Sequence, residues 1–377
     1  RGLHEFTVHL SKLREEMVAL PHIQRQAATP KGILRRTRDA EFKDVPDPRD
    51  ERYITRPLDG VLQLGVLGLA TGARSTRRVE TRSTQLAEPV DRAIDLDGRI
   101  SDNAFGLILR RIDPYQLRQA LHRAVKAEWV DRENLRPSQL STSTVAIDGK
   151  CLTTLEAWEL RQLVSSRTEL EGEKLTIEQL KCVFSTQFPE IQLREDDEAG
   201  LIGVVMVHRA TLVSSEAAVV IDQRSIPGTT SEHGEIARTL EALFNTYGRT
   251  KMLQRITVDA GNMYRKTARV ACSRDVDYFG ALKEHAQGEL YDRAVDWLGE
   301  RSVEDASASH TETSHGKKLT YRVWQMPIAE GTCDWEGTRQ LIRLQRGSID
   351  HETGERRAGE RYFVSSEAPD DVEAMEA

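Results

Sequence analysis

At 377 residues, of which 38% are hydrophobic and 30% charged, the chain can bury one large core or two to three smaller ones. Its formal net charge of −7 argues against a protein that coats nucleic acid through charge alone, but leaves a local basic groove open. No stretch approaches the roughly 18 apolar residues of a membrane span, so we expect a cytoplasmic protein. The four cysteines form no C-x-x-C pair, which argues against a structural zinc site and predicts buried free thiols.

Near the N-terminus, apolar residues recur at helical spacing over residues 3–20 and predict a helix. The Ala-Thr-Pro-Lys-Gly segment at 28–32 indicates a linker or arm. A basic stretch free of acids surrounds it, formed by Arg25, Lys31, Arg35, Arg36 and Arg38. These side chains either bind DNA phosphates, which would make binding salt-dependent, or belong to a solvated arm.

The next segments also favour helices. The prolines within residues 45–49 predict a rigid extended or turn element. Residues 58–72 predict a buried helix, and residues 101–127 predict two helices separated at Asp113, which is followed by a proline suited to the first helical position. We therefore expect a helical N-terminal region over residues 1–140.

The pattern changes to β-structure after Ser143. Residues 145–147 predict a short strand that ends on Asp148. Residues 201–207 and 217–221 are β-rich runs at hairpin-like separation.

Helices and strands then alternate. Residues 235–247 predict a helix, residues 252–258 a strand that ends on Asp259, residues 263–272 a second helix and residues 277–283 another strand. This order predicts an α/β sheet that combines antiparallel hairpins with parallel crossovers.

The last part of the chain is predicted to be rich in strands. Residues 300–318 are polar and indicate a mobile connection. Strands are expected over residues 319–326, 338–344 and 361–365, followed by an acidic stretch over residues 367–376.

Two strands are thus expected to end on an aspartate, Asp148 and Asp259. The crevice at strand ends of α/β sheets is where ligands bind, and two carboxylates there suit Mg²⁺. Two metal ions would stabilise the attacking and leaving oxygens of a phosphodiester displacement. Gly149 and Gly261 would let a backbone pass close by. The alternative is that each aspartate only forms a turn.

Nine short motifs in the same order resemble the H-repeat-associated (As-type) group of bacterial insertion-sequence transposases, which belong to the acid-triad (DDE) class. The resemblance covers roughly residues 42–366. Its motifs are Val-Pro-Asp-Pro-Arg at 45–49, Pro-Leu at 57–58 with Thr-Gly-Ala-Arg-Ser at 71–75, Asp-Pro at 113–114, Val-Ala-Ile-Asp-Gly-Lys at 145–150, His-Arg-Ala-Thr-Leu-Val-Ser-Ser at 208–215, Ser-Glu with Glu-Ile at 231–236, Thr-Val-Asp-Ala-Gly-Asn at 257–262, Asp-Tyr-Phe-Gly-Ala-Leu-Lys at 277–283 and Arg-Tyr-Phe-Val-Ser-Ser at 361–366.

This resemblance implies an RNase H-like mixed-sheet core over residues 141–298, between the helical N-terminal region and a β-rich insertion with an acidic tail over residues 299–377. It implies Mg²⁺ (or Mn²⁺) held by Asp148 and Asp259, and cut-and-paste phosphodiester hydrolysis and strand transfer. The partner would be double-stranded DNA, as transposon ends and target, with a homodimer left open and no membrane partner.

The departures from the family bear on activity. The family carries its third acid on a helix after the Ser-Ser strand, in a histidine-tryptophan-x-isoleucine-glutamate-asparagine motif. Here the chain ends at Ala377 before such a motif, so we expect a truncated form and assign no third ligand. Whether this chain is itself an enzyme stays open. The main alternative is a degenerate or repurposed transposase that binds DNA or another protein without cutting.

Several polar residues have two interpretations each. Lys150 either contacts phosphate near the metals or solvates a turn, and Lys283 either binds DNA backbone or closes its strand. Glu232 and His233 either support the metal site or reflect the preference of helix N-termini for acids. His208 is interpreted as a structural histidine. A last alternative is an unrelated α/β enzyme, but no nucleotide-binding glycine loop, nucleophile elbow or histidine metal pair supports it.

Overall fold

A computed structural model describes residues 30–85, 88–96, 98–132, 135–138, 140, 142–198, 200–216, 218–314, 316–329, 331–351 and 353–368. The chain divides into two compact units, Arg1–Arg136 and Pro137–Ala377, which are described separately below as unit 1 and unit 2. The helix predicted over residues 3–20, Arg25 and most of the acidic stretch lie outside the described residues. No helix within the described ranges is both long and apolar enough to cross a bilayer. The three-region division predicted from the sequence stays a prediction.

The described part of unit 1 contains helices, joined by turns and extended segments, and no β-strand. Its α-helices are α1 (Pro30–Asp39), α2 (Leu58–Ala70), α3 (Thr76–Ser83), α4 (Glu88–Ala93), α5 (Asp102–Arg111) and α6 (Pro114–Lys126), and a π-helical turn (Ala127–Asp131) continues α6. Helix α2 lies in the centre of the core, with Val61 and Leu64 fully buried. The predicted break between α5 and α6 is confirmed, because the Asp113 side chain accepts a hydrogen bond from the Tyr115 backbone N–H at 2.9 Å.

The predicted linker at 28–32 is wrong from residue 30 onward, where α1 begins. Proline fits the first turn of a helix, because the backbone N–H that it lacks would have no partner there. Ile33 is then buried in the core, and the Thr37 hydroxyl bonds the buried Gln63 at 3.2 Å. Arg35, Arg36 and Arg38 of the basic stretch therefore lie on a packed helix.

Unit 2 contains a ten-stranded mixed sheet in its described part. The strands are β1 (Thr144–Leu155), β2 (Ile191–Asp196), β3 (Gly200–Leu212), β4 (Val219–Ser225), β5 (Arg255–Val258), β6 (Asp277–Leu282), β7 (Ala308–Ser314), β8 (Lys317–Pro327), β9 (Gln340–Asp350) and β10 (Arg356–Ser365). Their order is β2-β3-β1-β5-β6-β10-β9-β8-β7, with β4 also paired to β3. The helices are α7 (Ala157–Arg167), α8 (Ile177–Gln187), α9 (Glu232–Tyr247), α10 (Arg265–Cys272) and α11 (Glu284–Leu298).

The predicted mixture of hairpins and crossovers is confirmed. Strand β3 is antiparallel to β1 and β4, whereas β1, β5 and β6 are mutually parallel. Helix α9 leads from β4 into β5, and α10 connects β5 to β6. Alternate residues of the parallel strands, such as Ile147, Ile256 and Tyr278, are almost fully buried. The side chains of Ala146, Thr257 and Phe279 between them are half-buried, so this part of the three parallel strands has one tightly covered face and one more open face.

Three predictions for unit 2 are wrong in detail. Strand β1 does not end on Asp148 but continues to Leu155, because the long partner β3 pairs with it up to that point. The polar connection expected over residues 300–318 contains β7, which forms a hairpin with β8. The cysteines are free, but Cys151 and Cys182 are exposed rather than buried.

A buried ion pair joins the start of β5 to the residue after the Ser-Ser segment. The Arg255 Nε lies 2.6 Å from the Glu367 Oε1, and both side chains are nearly inaccessible to solvent. Arg255 is the first residue of β5, whereas Asp259 follows its last residue. Glu367 therefore lies at the opposite end of β5 from Asp259.

We expect Glu367→Ala to lower the free energy of unfolding by about 3–5 kcal/mol, because it leaves the buried Arg255 charge without its carboxylate. Urea titration measures this loss. The matched control is Glu178→Ala, which removes an exposed carboxylate from the Glu178–Lys181 pair and should leave stability near wild type. An equal effect of the two substitutions would contradict the importance of the buried pair.

Candidate acidic site

The pairing of β1 with β5 sets the position of the two predicted aspartates. Ile147 of β1 lies opposite Val258 of β5 in parallel register. Asp148 and Asp259 are the next residues along each strand, so they occupy neighbouring positions at the same edge of the sheet. Pairing with β5 ends there, although β1 itself continues. The structure thus brings the two predicted carboxylates to adjacent strand positions.

Asp259 is fixed by the turn that follows β5. Its Oδ1 accepts hydrogen bonds from the Asn262 backbone N–H at 3.1 Å and from the Asn262 Nδ2 at 3.0 Å. The side chain is nevertheless exposed, and its Oδ2 makes no hydrogen bond within the described part of the chain. One carboxylate oxygen is therefore held by the protein while the other is open to a ligand.

Glu232 adds a third carboxylate to this edge. It is the first residue of α9, where the helix dipole favours an acid. The Asn262 Nδ2 donates to the Glu232 Oε1 at 2.6 Å, so one amide nitrogen bridges Glu232 and Asp259. The Glu232 carboxylate also occupies the space beside Gly149, where a Cβ would lie 2.1 Å from it. The absence of a side chain at residue 149 therefore makes room for Glu232 against the backbone of β1.

Two lysines predicted from the sequence lie near this edge. The Lys150 ammonium forms an ion pair with the Asp148 carboxylate, and both side chains are about half exposed. Lys283 is exposed and follows β6, the strand beside β5. Its backbone N–H donates to the Gln287 Oε1 at 2.8 Å, while the Gln287 Nε2 donates to the carbonyls of Ala260 and Met263 at 2.7 Å each. Gln287 thereby ties the turn after Asp259 to the end of β6.

The basic stretch lies in unit 1, so its arginines are described apart from this edge. Arg36 lies 3.1 Å from the buried Glu128, Arg35 lies 3.8 Å from it, and Arg38 is exposed. Burial lowers the pKa of Arg36, partly offset by the Glu128 carboxylate. Lys31 belongs to α1, but its side chain, like Arg25, lies outside what the structure describes.

His208 lies beneath the acidic edge and is almost fully buried. Its Nδ1 is 2.9 Å from the Thr239 hydroxyl. The His208 Nε2 and the Asn262 Oδ1 are both buried, and neither has a partner with good hydrogen-bond geometry in the described residues. The Asn262 amide nevertheless lies close enough to the imidazole to favour its protonated form. Burial lowers the pKa of His208, and the Glu232 carboxylate and the Asn262 amide oppose that shift. The imidazole is therefore neutral at pH 7.

The arrangement offers hard oxygen donors of the kind that Mg²⁺ prefers. Asp148, Glu232 and Asp259 are all reached by solvent, and each carries a carboxylate that a divalent cation could bind. As the side chains stand, however, no three His, Cys, Asp or Glu residues in the described segments converge closely enough to hold one ion. Metal binding would require the Asp148–Lys150 pair to open and the carboxylates to turn toward one another.

The sequence motifs did not predict Asn262 or Gln287 as part of this site, and they gave Glu232 two interpretations. The spacing of Asn262, three residues after Asp259, is a signal that was present, since such spacing lets a side chain bond a turn. The contact between Glu232 and Gly149 joins residues 83 positions apart, and no local pattern marks it.

Comparison with known families gives a match within unit 1. Residues 40–125 match the family model described as DDE_Tnp_1-associated, which points to the DDE transposase family and to a transposase-related function. No curated protein matches the chain. The matched residues contain the first motifs of the resemblance, from the Val-Pro-Asp-Pro-Arg segment to Asp113. They lie in unit 1, whereas the acidic edge lies in unit 2.

The buried neutral state of His208 predicts a dependence of stability on pH. The unfolded chain protonates this histidine below about pH 6.5, whereas the folded chain does so only at lower pH. The contribution of His208 to the free energy of unfolding is therefore fully present above pH 6.5. It falls as pH decreases toward the lowered pKa, by up to ~1.4 kcal/mol per pH unit.

Urea unfolding between pH 7.5 and 5 measures this slope. His208→Gln should flatten it, and His310→Gln, at an exposed histidine of β7, should not. An unchanged slope in His208→Gln would show that other groups govern the response.

Proposed function

We propose that this chain is a DNA transposase of the H-repeat-associated group, with an RNase H-like core. It would act on double-stranded DNA in the cytoplasm. The observation that carries the proposal is the register of β1 and β5, which gives Asp148 and Asp259 adjacent positions. The match over residues 40–125 supports the wider DDE transposase family, and it does so from the other unit.

Asp148 and Asp259 are proposed to hold Mg²⁺ or Mn²⁺, and Glu232 contributes negative charge beside them. When bound, the metal would stabilise charge on the attacking and leaving oxygens of a phosphodiester displacement. Asn262 keeps one Asp259 oxygen fixed, so that the other faces the ligand. Lys150, once released from Asp148, would pair with a DNA phosphate.

The proposed reaction has two steps. Water first attacks the phosphorus at a transposon end, the bond to the 3′-oxygen breaks, and the 3′-oxygen takes a proton. The liberated 3′-hydroxyl then attacks a target phosphodiester, forms a new P–O bond and displaces the target 3′-oxygen. The residues of this chain position the reactants, and the attacking groups are water and the 3′-hydroxyl.

A non-catalytic DNA-binding relative is the second candidate. One observation favours it: the carboxylates of the described residues do not converge on one point. Such a protein would bind DNA without cutting it, and the experiment below separates the two.

The test uses the full chain with a supercoiled plasmid that carries the DNA flanking its gene, in Mg²⁺ or Mn²⁺. We expect metal-dependent strand cleavage. Asp148→Asn and Asp259→Asn should each reduce it by at least about 100-fold, since losing a ligand costs more than the roughly 10–100-fold that follows loss of a ligand's outer partner.

The matched control is Asp197→Asn in the exposed turn between β2 and β3, which should cleave normally. Metal-independent DNA binding without cleavage would favour the second candidate. Cleavage that survives Asp148→Asn and Asp259→Asn would overturn the proposed site.

A further inference from the structure

A cluster of cations lies on one face of strands β8, β9 and β10, far along the chain from the acidic residues. We call it the basic sheet face. Its cationic residues are Lys317 of β8, Arg346 of β9, and Arg357 and Arg361 of β10. Tyr321 of β8 and Gly359 of β10 lie among them. The four cationic side chains are exposed, in a chain whose net charge is −7. The face is thus a local reversal of the overall charge.

The strand register explains why these cations share one face. Arg346 lies directly opposite both Tyr321 and Gly359 on the neighbouring strands. Arg357 and Arg361 each lie two residues from Gly359, and alternate residues of a strand point to the same side. The Cα atoms of Arg357 and Arg361 are therefore about 13 Å apart, and Arg346 lies midway between them on the next strand. A Cβ at Gly359 would touch nothing within 4 Å, so the space between these three arginines is open.

Much of this charge is not neutralised within the protein. In the part of the chain that the structure describes, neither Arg346 nor Arg361 has an acidic partner, and the Arg346 guanidinium lies 5.9 Å from the centre of the Tyr321 ring. Arg357 pairs with the exposed Glu355 at 2.8 Å, and Lys317 lies 3.7 Å from Asp350. These are exposed contacts, which a stronger ligand displaces at little cost.

Acids near the face point elsewhere or lie at its edge. Glu360 belongs to the opposite face, where it pairs with Arg343 and accepts a hydrogen bond from Gln345 at 3.0 Å. Glu312 of β7 accepts a hydrogen bond from the Tyr321 hydroxyl at 3.3 Å. The centre of the face is therefore cationic.

Helix α11 packs on the other side of these strands. Arg343 donates to the Leu298 carbonyl at 2.9 Å, and Tyr291 packs edge-on against Tyr362. Arg343 and Tyr362 both belong to the face opposite the basic one. The basic sheet face is consequently accessible, while its reverse side is part of the core.

The basic sheet face is on the same side of the sheet as Asp148. The residue after Ile147 on β1 is Asp148, and the corresponding positions on β6 and β10 are Ala281 and Phe363. Arg361 lies two residues from Phe363 and so shares that side. Strand β10 is three strands from β1, about 14 Å across the sheet. Both strands continue past the ends of β5 and β6, so they flank the acidic edge.

We propose that the basic sheet face binds the phosphate backbone of duplex DNA and directs it across the acidic edge. Arginine suits this role, because its planar guanidinium donates two parallel hydrogen bonds to a phosphate. Contacts of this kind position DNA without reading its sequence. The choice of DNA rests on the proposed function, whereas the surface itself rests on charge and register.

The test measures binding of the full chain to a fluorescent 30-base-pair duplex in EDTA over a range of NaCl concentrations. Arg346→Gln with Arg361→Gln should weaken binding by about 10-fold or more and reduce the slope of log K against log salt by about 2, because two phosphate contacts are lost. Arg346→Lys with Arg361→Lys keeps both charges and should largely restore the slope.

The matched control removes two cations from the opposite face, Lys318→Gln with Arg356→Gln, and should bind like wild type. Circular dichroism confirms that each variant folds. If wild type binds and the Arg346/Arg361 variant is unchanged, the inference is overturned and the proposed function stands. If wild type binds no DNA, both the inference and the proposed function are contradicted. Competition by poly-glutamate as strong as by unlabelled duplex would overturn the inference in favour of an acidic protein partner.

Discussion

The parallel pairing of β1 with β5 is the constraint on which the candidate site depends. Because Ile147 lies opposite Val258, the two following aspartates occupy adjacent positions where the pairing ends. A shift of one residue in this register would move one aspartate away from the other and turn its side chain to the opposite face. The buried side chains of both strands oppose such a shift, since it would expose Val145, Ile147 and Ile256.

Electrostatic balance at the acidic edge comes from neutral donors and one lysine. The Asn262 amide bridges Glu232 and Asp259, and the Lys150 ammonium pairs with Asp148. The buried His208 stays neutral, because burial lowers its pKa. The edge thus retains most of its negative charge, and Asp148 lies on the same side of the sheet as the arginines of β9 and β10. A polyanion held by those arginines would need a cation at the acidic edge to approach it, which links the two surfaces physically.

The sequence was informative where a pattern was local. Alternating and continuous apolar runs identified β1, β3, β4, β5 and β6, and a proline after Asp113 identified the break between two helices. The sequence was misleading where contacts with distant segments decide the secondary structure. Asp-Gly at 148–149 is a typical turn, but pairing with β3 keeps it in a strand. Residues 308–314 are polar, and they form a strand because β8 offers an edge.

The same distinction applies to the site. Asp148 and Asp259 were identified as ligands from their places at strand ends and from a family resemblance, and that role stays a prediction. The Glu232–Gly149 contact and the anchoring of the Asp259 turn by Gln287 depend on packing between distant segments. No periodicity or spacing in the sequence encodes those contacts. The Arg346–Arg361 cluster likewise needs the register of β9 and β10 before its members become neighbours.

Diffraction from crystals of the full chain soaked in Mn²⁺, recorded at the manganese absorption edge, addresses the acidic edge most directly. The account predicts an anomalous peak bound by carboxylate oxygens of both Asp148 and Asp259, with Lys150 displaced from Asp148. A peak held by other residues only, or none at saturating Mn²⁺, would contradict it.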